Sequence, residues 1–139
     1  MLYLGADEHC AFIETFGQAT GDRFVTLEAL EARGLVRATS QDALRLVDLT
    51  GSGLVHIGAD ERLCSGEHAL AQQWSKALHD HPAQPDGIYY RARHDPSRMA
   101  AAVFERVMPR LKVRSVEGLL APAHQRLLAA LLDHYKFGL

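Results

Sequence analysis

The chain commits to structure within its first residues. Leu2-Tyr3-Leu4-Gly5 reads as a short apolar strand, and Asp7 then offers the N-cap of a helix that runs to about Phe16 and stops at Gly17. A strand passed at once to a helix sets a mixed α and β pattern. No turn or cap precedes Leu2, so the strand is expected either to be a sheet edge or to lack a segment upstream of it. The helix carries one acid, Glu14, among Phe12, Ile13 and Phe16, where a carboxylate is partly desolvated. The pattern alone leaves open whether Glu14 is a functional acid or a surface acid beside a hydrophobic seam.

The rest of the chain continues as short alternating elements without a repeat. Thr26, with Leu27, Leu30 and the Glu28 and Glu31 pair, predicts a second small helix ending at Gly34, and Leu35 to Ala38 a short strand. Ala43 to Leu49 alternates apolar and polar residues and predicts a half-buried strand stopped by Thr50-Gly51-Ser52-Gly53. Leu54 to Ile57 reads as a helical turn. A longer helix is expected from Glu67 to about His81, with Ala69, Leu70, Gln73, Trp74, Ala77 and Leu78 on its apolar face and Pro82 and Pro85 ending it. Asp86-Gly87 turns the chain into a strand through Arg93. Further strands are expected at Ala101 to Glu105 and at Lys112 to Val116, and Pro122 opens a last helix. Its stripe of Leu127, Leu128, Leu131 and Leu132 fits either a core or a groove for a partner helix.

Size and charge narrow the class. The 139 residues suit one compact domain, 1–139, and a net charge of -2 with a pI near 6.4 gives no basic field for nucleic acid. Cys10 and Cys64 are too few for a disulfide framework, no segment reads as a signal peptide and no apolar run reaches a membrane-spanning length. A soluble, cytoplasmic protein without a membrane partner is the expectation. Eight histidines invite a metal reading through His56, Cys64, His68, His79 and His81. Cys64 and His68 stand one turn apart, but His79 and His81 do not share a face and nothing closes a tetrahedron, so no metal is expected.

Five segments in order carry a family resemblance: Tyr-Leu-Gly, Ala-Phe-Ile-Glu-Thr-Phe-Gly, Leu-Arg-Leu-Val-Asp-Leu-Thr-Gly, the helix bearing Gln and Trp, and Asp-Gly-Ile-Tyr-Tyr-Arg-Ala-Arg-His-Asp-Pro with Val-Phe-Glu-Arg after it. Over roughly residues 2–106 the chain resembles the RES domain family. The resemblance implies an α+β domain with a mixed, mainly antiparallel sheet and flanking helices, related to ADP-ribosyltransferase toxins. It implies consumption of NAD as substrate, by phosphorolysis, hydrolysis or ADP-ribosyl transfer, in the toxin of a toxin-antitoxin pair whose partner is an Xre-type antitoxin.

By this resemblance Glu14 matches the family Glu and is the expected catalytic acid, and Tyr3 matches the Tyr that lines the nicotinamide pocket. Pattern alone would make Tyr3 a core aromatic; the resemblance reverses that. The family Arg lies upstream of the Tyr-Leu-Gly strand, in a region this chain does not contain. Ala92 stands where the family has Ser and brings no hydroxyl. Arg91 and Arg93, alternating on one strand, are candidates for pairing with the pyrophosphate, against a reading in which they and His94 solvate an edge strand. The chemistry accounts for these residue types. Cleavage of the nicotinamide N-glycosidic bond develops positive charge at the ribose carbon, which a carboxylate stabilises, while an aromatic face stacks on the cationic ring. The alternative expectation is a truncated or degenerate RES domain that binds NAD or an antitoxin without catalysis.

Overall fold

A computed structural model of the chain describes residues 1–19, 21, 23–65 and 68–139. Strand β1 (Leu2–Gly5) leads into helix α1 (Glu8–Phe16), whose start is fixed as expected: the Asp7 carboxylate accepts the Cys10 backbone N–H, and Gly17 closes the other end. Gly5 is required by the tightness of this turn. A Cβ there would sit 2.6 Å from the Ala11 backbone nitrogen, because α1 folds straight back over the strand.

Helix α2 (Leu27–Glu31) is capped by the Thr26 hydroxyl, and β2 (Gly34–Ser40) follows, longer at both ends than its sequence suggested. Then come β3 (Leu46–Asp48), the short helices α3 (Ser52–His56) and α4 (Arg62–Ser65), and α5 (His68–His79). The expected helix start at Glu67 lies outside the described residues. Strands β4 (Gly87–Arg91) and β5 (Met99–Val103) precede a 3-10 helix at Glu105–Arg110 and β6 (Leu111–Gly118). Pro122 opens a 3-10 turn, and α6 (Gln125–Tyr135) ends the fold on Lys136, in the left-handed region at φ 57°.

Four strands form one sheet in the order β1-β5-β4-β3. β5 is antiparallel to both neighbours, and β3 runs parallel to β4. β1 is therefore a sheet edge, one of the two outcomes its sequence allowed. β2 and β6 pair separately, antiparallel, with an irregularity between Leu35 and Arg37. The class is the expected α+β with a mixed, mainly antiparallel arrangement. The parallel β3–β4 pair has a direct consequence, because two parallel neighbours cannot be joined by a hairpin and need a crossover. Here the crossover contains α3, α4 and α5, and these helices cover the face of β3 and β4.

Three elements of this sheet and its crossover differ from expectation. The predicted strand at 43–49 shrinks to Leu46–Asp48, because the Asp86 carboxylate takes the Arg45 backbone N–H at 2.7 Å, while the Arg45 carbonyl accepts the Asp86 N–H at 2.8 Å. In α5 the side turned toward the protein holds Ala71, Trp74, Ser75 and Leu78. Leu70 is 42% exposed, so the apolar face is rotated from the expected one. The β5 strand begins at Met99 rather than Ala101, held in register by both neighbours.

The main apolar cluster joins Phe12 of α1, Val25, Leu30 of α2, Leu119, and Leu128 and Leu131 of α6. This decides the leucine stripe: it packs into the core. No helix among the described residues is long and apolar enough to cross a membrane.

Candidate functional site

A cavity of about 1120 Å³ opens where β1, α1, β4 and the crossover helix α5 meet. Its wall includes Tyr3, Glu14, Tyr90 and Arg93 on the strand side, and Trp74 and His79 from α5. Each arrives there for a local reason. Alternation along β4 puts Ile88 and Tyr90 on the cavity side and Tyr89 and Arg91 on the other. Glu14 lies on α1 just after Ile13, whose buried side chain anchors the helix below.

Glu14 is half-buried, and its Oε1 accepts the backbone N–H of His94 at 2.8 Å. The acid is thus held by the segment that follows β4, and Oε2 has no protein partner among the described residues. Tyr3 is 66% exposed with its ring at the cavity and is not a core aromatic. Arg93 also lines the cavity, and no described residue bonds or pairs with its guanidinium. Arg91 does not reach it: Arg91 Nη1 donates to the Pro96 carbonyl at 3.1 Å. The two arginines were expected to alternate on one strand, but β4 ends at Arg91 and Arg93 lies beyond it. Ala92 is 2% exposed, packed against Cys10 of α1 and Ala100 of β5, with its N–H donated to the Arg98 carbonyl at 2.9 Å. It underlies the cavity and does not line it.

Burial, and after it the Glu14 carboxylate, push the Tyr90 phenol up to about 12 and also raise the Cys10 thiol, so Tyr90 is a neutral donor. Its hydroxyl has no partner among the described residues. Nothing in the sequence pattern marks Tyr90, although its place two residues before Ala92 on a half-buried strand gives it the same face. His94 also contributes unexpectedly, through its backbone N–H.

The segment 92–98 closes on α1 at two places. His94 holds Glu14, and Arg98 Nη1 donates to Asp7 Oδ2 at 2.8 Å. Burial alone would raise the Asp7 carboxyl, but the Cys10 N–H and the Arg98 guanidinium outweigh it and hold the group below its ordinary value. Of the histidines and cysteines considered for a metal, Cys64, His68 and His79 border the cavity. Among the described residues no group of three or more His, Cys, Asp or Glu is placed to hold an ion.

The chain is 36% identical over 78 residues to a protein named "Probable toxin y4kH" of Sinorhizobium fredii, a match covering 55% of this chain and 61% of that one. The chain therefore spans about three fifths of that relative's length. No solved structure matches. The model of the RES domain matches residues 1–127, past the 2–106 over which the sequence motifs run and into α6. With the cavity, the Glu14 anchor and the Asp86-Gly87 strand start all inside that span, the chain belongs to the RES domain family.

Proposed function

We propose that this domain is the toxin of a toxin-antitoxin pair and that it consumes NAD by cleaving the nicotinamide N-glycosidic bond at the Glu14 cavity. The observation that carries the reading is the meeting of Tyr3, Glu14 and Arg93 in one cavity, with the acid fixed by a backbone N–H. Family membership and the name of the Sinorhizobium fredii relative support the toxin role. An Xre-type antitoxin is the proposed partner, and phosphorolysis, hydrolysis and ADP-ribosyl transfer are the outcomes to separate.

The residues present suit the substrate. NAD offers a cationic ring, a pyrophosphate and ribose hydroxyls; an exposed Tyr ring, a guanidinium unpaired among the described residues and a carboxylate whose second oxygen has no partner among them match these groups in kind. When the bond breaks, nicotinamide leaves with the bonding pair and positive charge develops at the ribose carbon. Glu14, fixed before the reaction, stabilises that charge without reorganising. Water, phosphate or an acceptor oxygen then adds to the carbon and loses a proton. Tyr90, neutral at physiological pH, is available as a hydroxyl donor in the wall.

Nicotinamide release from NAD, followed with and without phosphate, tests this. Glu14→Gln keeps an acceptor for the His94 N–H but loses the charge, and is expected to lower turnover by roughly a hundredfold or more. Equal turnover in the two proteins would remove Glu14 from the chemistry. A second reading, binding of NAD or an antitoxin without turnover, is favoured by Ala92, whose side chain supplies no hydroxyl. NAD binding without nicotinamide release by the unaltered protein is its signature.

A further inference from the structure

The Glu14 carboxylate is linked to the far end of the chain by a short series of contacts. We propose that Tyr135 is a positioning residue for Glu14: its hydroxyl, bonded to Asp95, holds the segment 92–98 where the His94 N–H grips the carboxylate. The proposal rests on the reading of Glu14 as the reactive acid.

Tyr135 ends α6 and does not line the cavity, so it acts only through other residues. Its hydroxyl lies 2.8 Å from Asp95 Oδ2 and 3.4 Å from the His9 carbonyl. With a single proton to donate, it serves the nearer, charged acceptor. Asp95 Oδ1 accepts the Ser97 backbone N–H at 3.1 Å and also the Ser97 hydroxyl, which keeps the turn closed. Arg98 Nε stands 3.7 Å from Asp95 Oδ2, and the same guanidinium reaches Asp7 at the start of α1.

The segment is therefore fastened to α1 at His94 and Arg98 and to α6 at Asp95. Asp95 is the immediate neighbour of His94, so a shift of Asp95 is passed across the His94 Cα to the Arg93–His94 peptide group, which presents the His94 N–H to Glu14. The Asp95 side chain is 16% exposed, away from most competing water. Tyr135 lies beyond residue 127, where the family match ends. Its ring stacks on Phe12 at 6.1 Å and 11° between planes. Tyr135→Phe keeps that packing and removes only the hydroxyl.

Two measurements on the full chain test the proposal. In steady-state nicotinamide release, Tyr135→Phe is expected to lower kcat roughly tenfold while KM for NAD stays within about twofold, as misplacement of a reacting group predicts. In amide hydrogen exchange without NAD, the His94 amide of Tyr135→Phe is expected to exchange at least about tenfold faster, as in Glu14→Ala, while the Ala102 amide of the central strand β5 is unchanged. An unchanged His94 amide overturns the proposal. So does a His94 rate that rises in step with Ala102, which is general loosening, or an unchanged kcat in an active protein. If the unaltered protein releases no nicotinamide, the reading of the site fails separately, and the His94 amide still decides whether Tyr135 holds Glu14.

Discussion

Asp86→Asn is the substitution whose cost follows most directly from the structure. Asp86 is 6% exposed at the start of β4. Oδ2 accepts the Arg45 N–H and Oδ1 accepts Arg110 Nη1, each at 2.7 Å. Asparagine fits the volume but has one acceptor oxygen, so either Arg45 or Arg110 must face an NH₂ group. Removing one partner of a buried ion pair costs about 3–5 kcal/mol. Arg110 is 31% exposed and keeps Asp42 as a second partner at 3.0 Å, which favours the lower end, about 3 kcal/mol. For a chain of this length the unfolding entropy is about 0.3 kcal/mol per kelvin, so the melting temperature should fall by about 10 °C at neutral pH.

The pH dependence gives a second check. Burial alone would raise the Asp86 carboxyl, but the Arg45 N–H and the Arg110 guanidinium hold it below its ordinary value. A group lowered in the folded state stabilises the protein above its unfolded pKa and ceases to do so as pH falls through the folded one. The gap between the two melting curves should therefore be full around pH 7 and shrink as pH falls below about 4. Circular dichroism melts across that range measure both effects. A neutral-pH shift under about 2 °C, or a gap that persists undiminished in acid, would refute the reasoning.

If NAD is the substrate as proposed, Arg93→Ala should raise KM for NAD about tenfold, through loss of one charge-assisted contact, while Arg91→Ala changes it less than about twofold; initial rates compare them, and equal effects would remove Arg93 from the proposed phosphate contact. Gly87→Ala would put a Cβ 2.3 Å from the Ala102 carbonyl oxygen and 2.8 Å from Val103 Cα, both backbone, forcing β4 away from β5. A loss of about 3 kcal/mol in denaturant unfolding is expected, against under about 1 kcal/mol for Gly118→Ala, which meets nothing within 4 Å.

The sequence was most legible where the deciding interactions are local. Asp7 and Gly17 bound α1, and Thr26 starts α2, because a cap is satisfied within three or four residues of itself. It was least legible where a distant group competes for the backbone. Nothing near Arg45 announces that the Asp86 side chain takes its N–H, which is why alternation predicts a longer strand, 43–49, than forms. The turned face of α5 has a similar origin: Leu70 and Ala77 continue a helical period as well as Ala71 and Ser75 do, and only the sheet beneath chooses between them. In the site, Glu14 stood out as an acid among apolar neighbours. Tyr90 did not, because an aromatic residue on a half-buried strand looks the same whether it faces core or cavity. Tyr135 and His94 act across long stretches of chain, one by a hydroxyl and one by a backbone N–H, and neither leaves a mark in spacing.

The parallel pairing of β3 with β4 reaches beyond topology. Because the residues between those strands lie outside the sheet, α5 and its neighbours form the roof of the cavity, while Glu14, Tyr3 and Tyr90 stand on its floor. Floor and roof are thus separate stretches of chain with separate duties. Selection can lengthen, shorten or recolour the roof, and so reshape the cavity, without disturbing the strand register or the anchor on the acid; the same division makes the crossover the natural place to exchange segments between relatives when the size or polarity of the cavity is the trait to be altered.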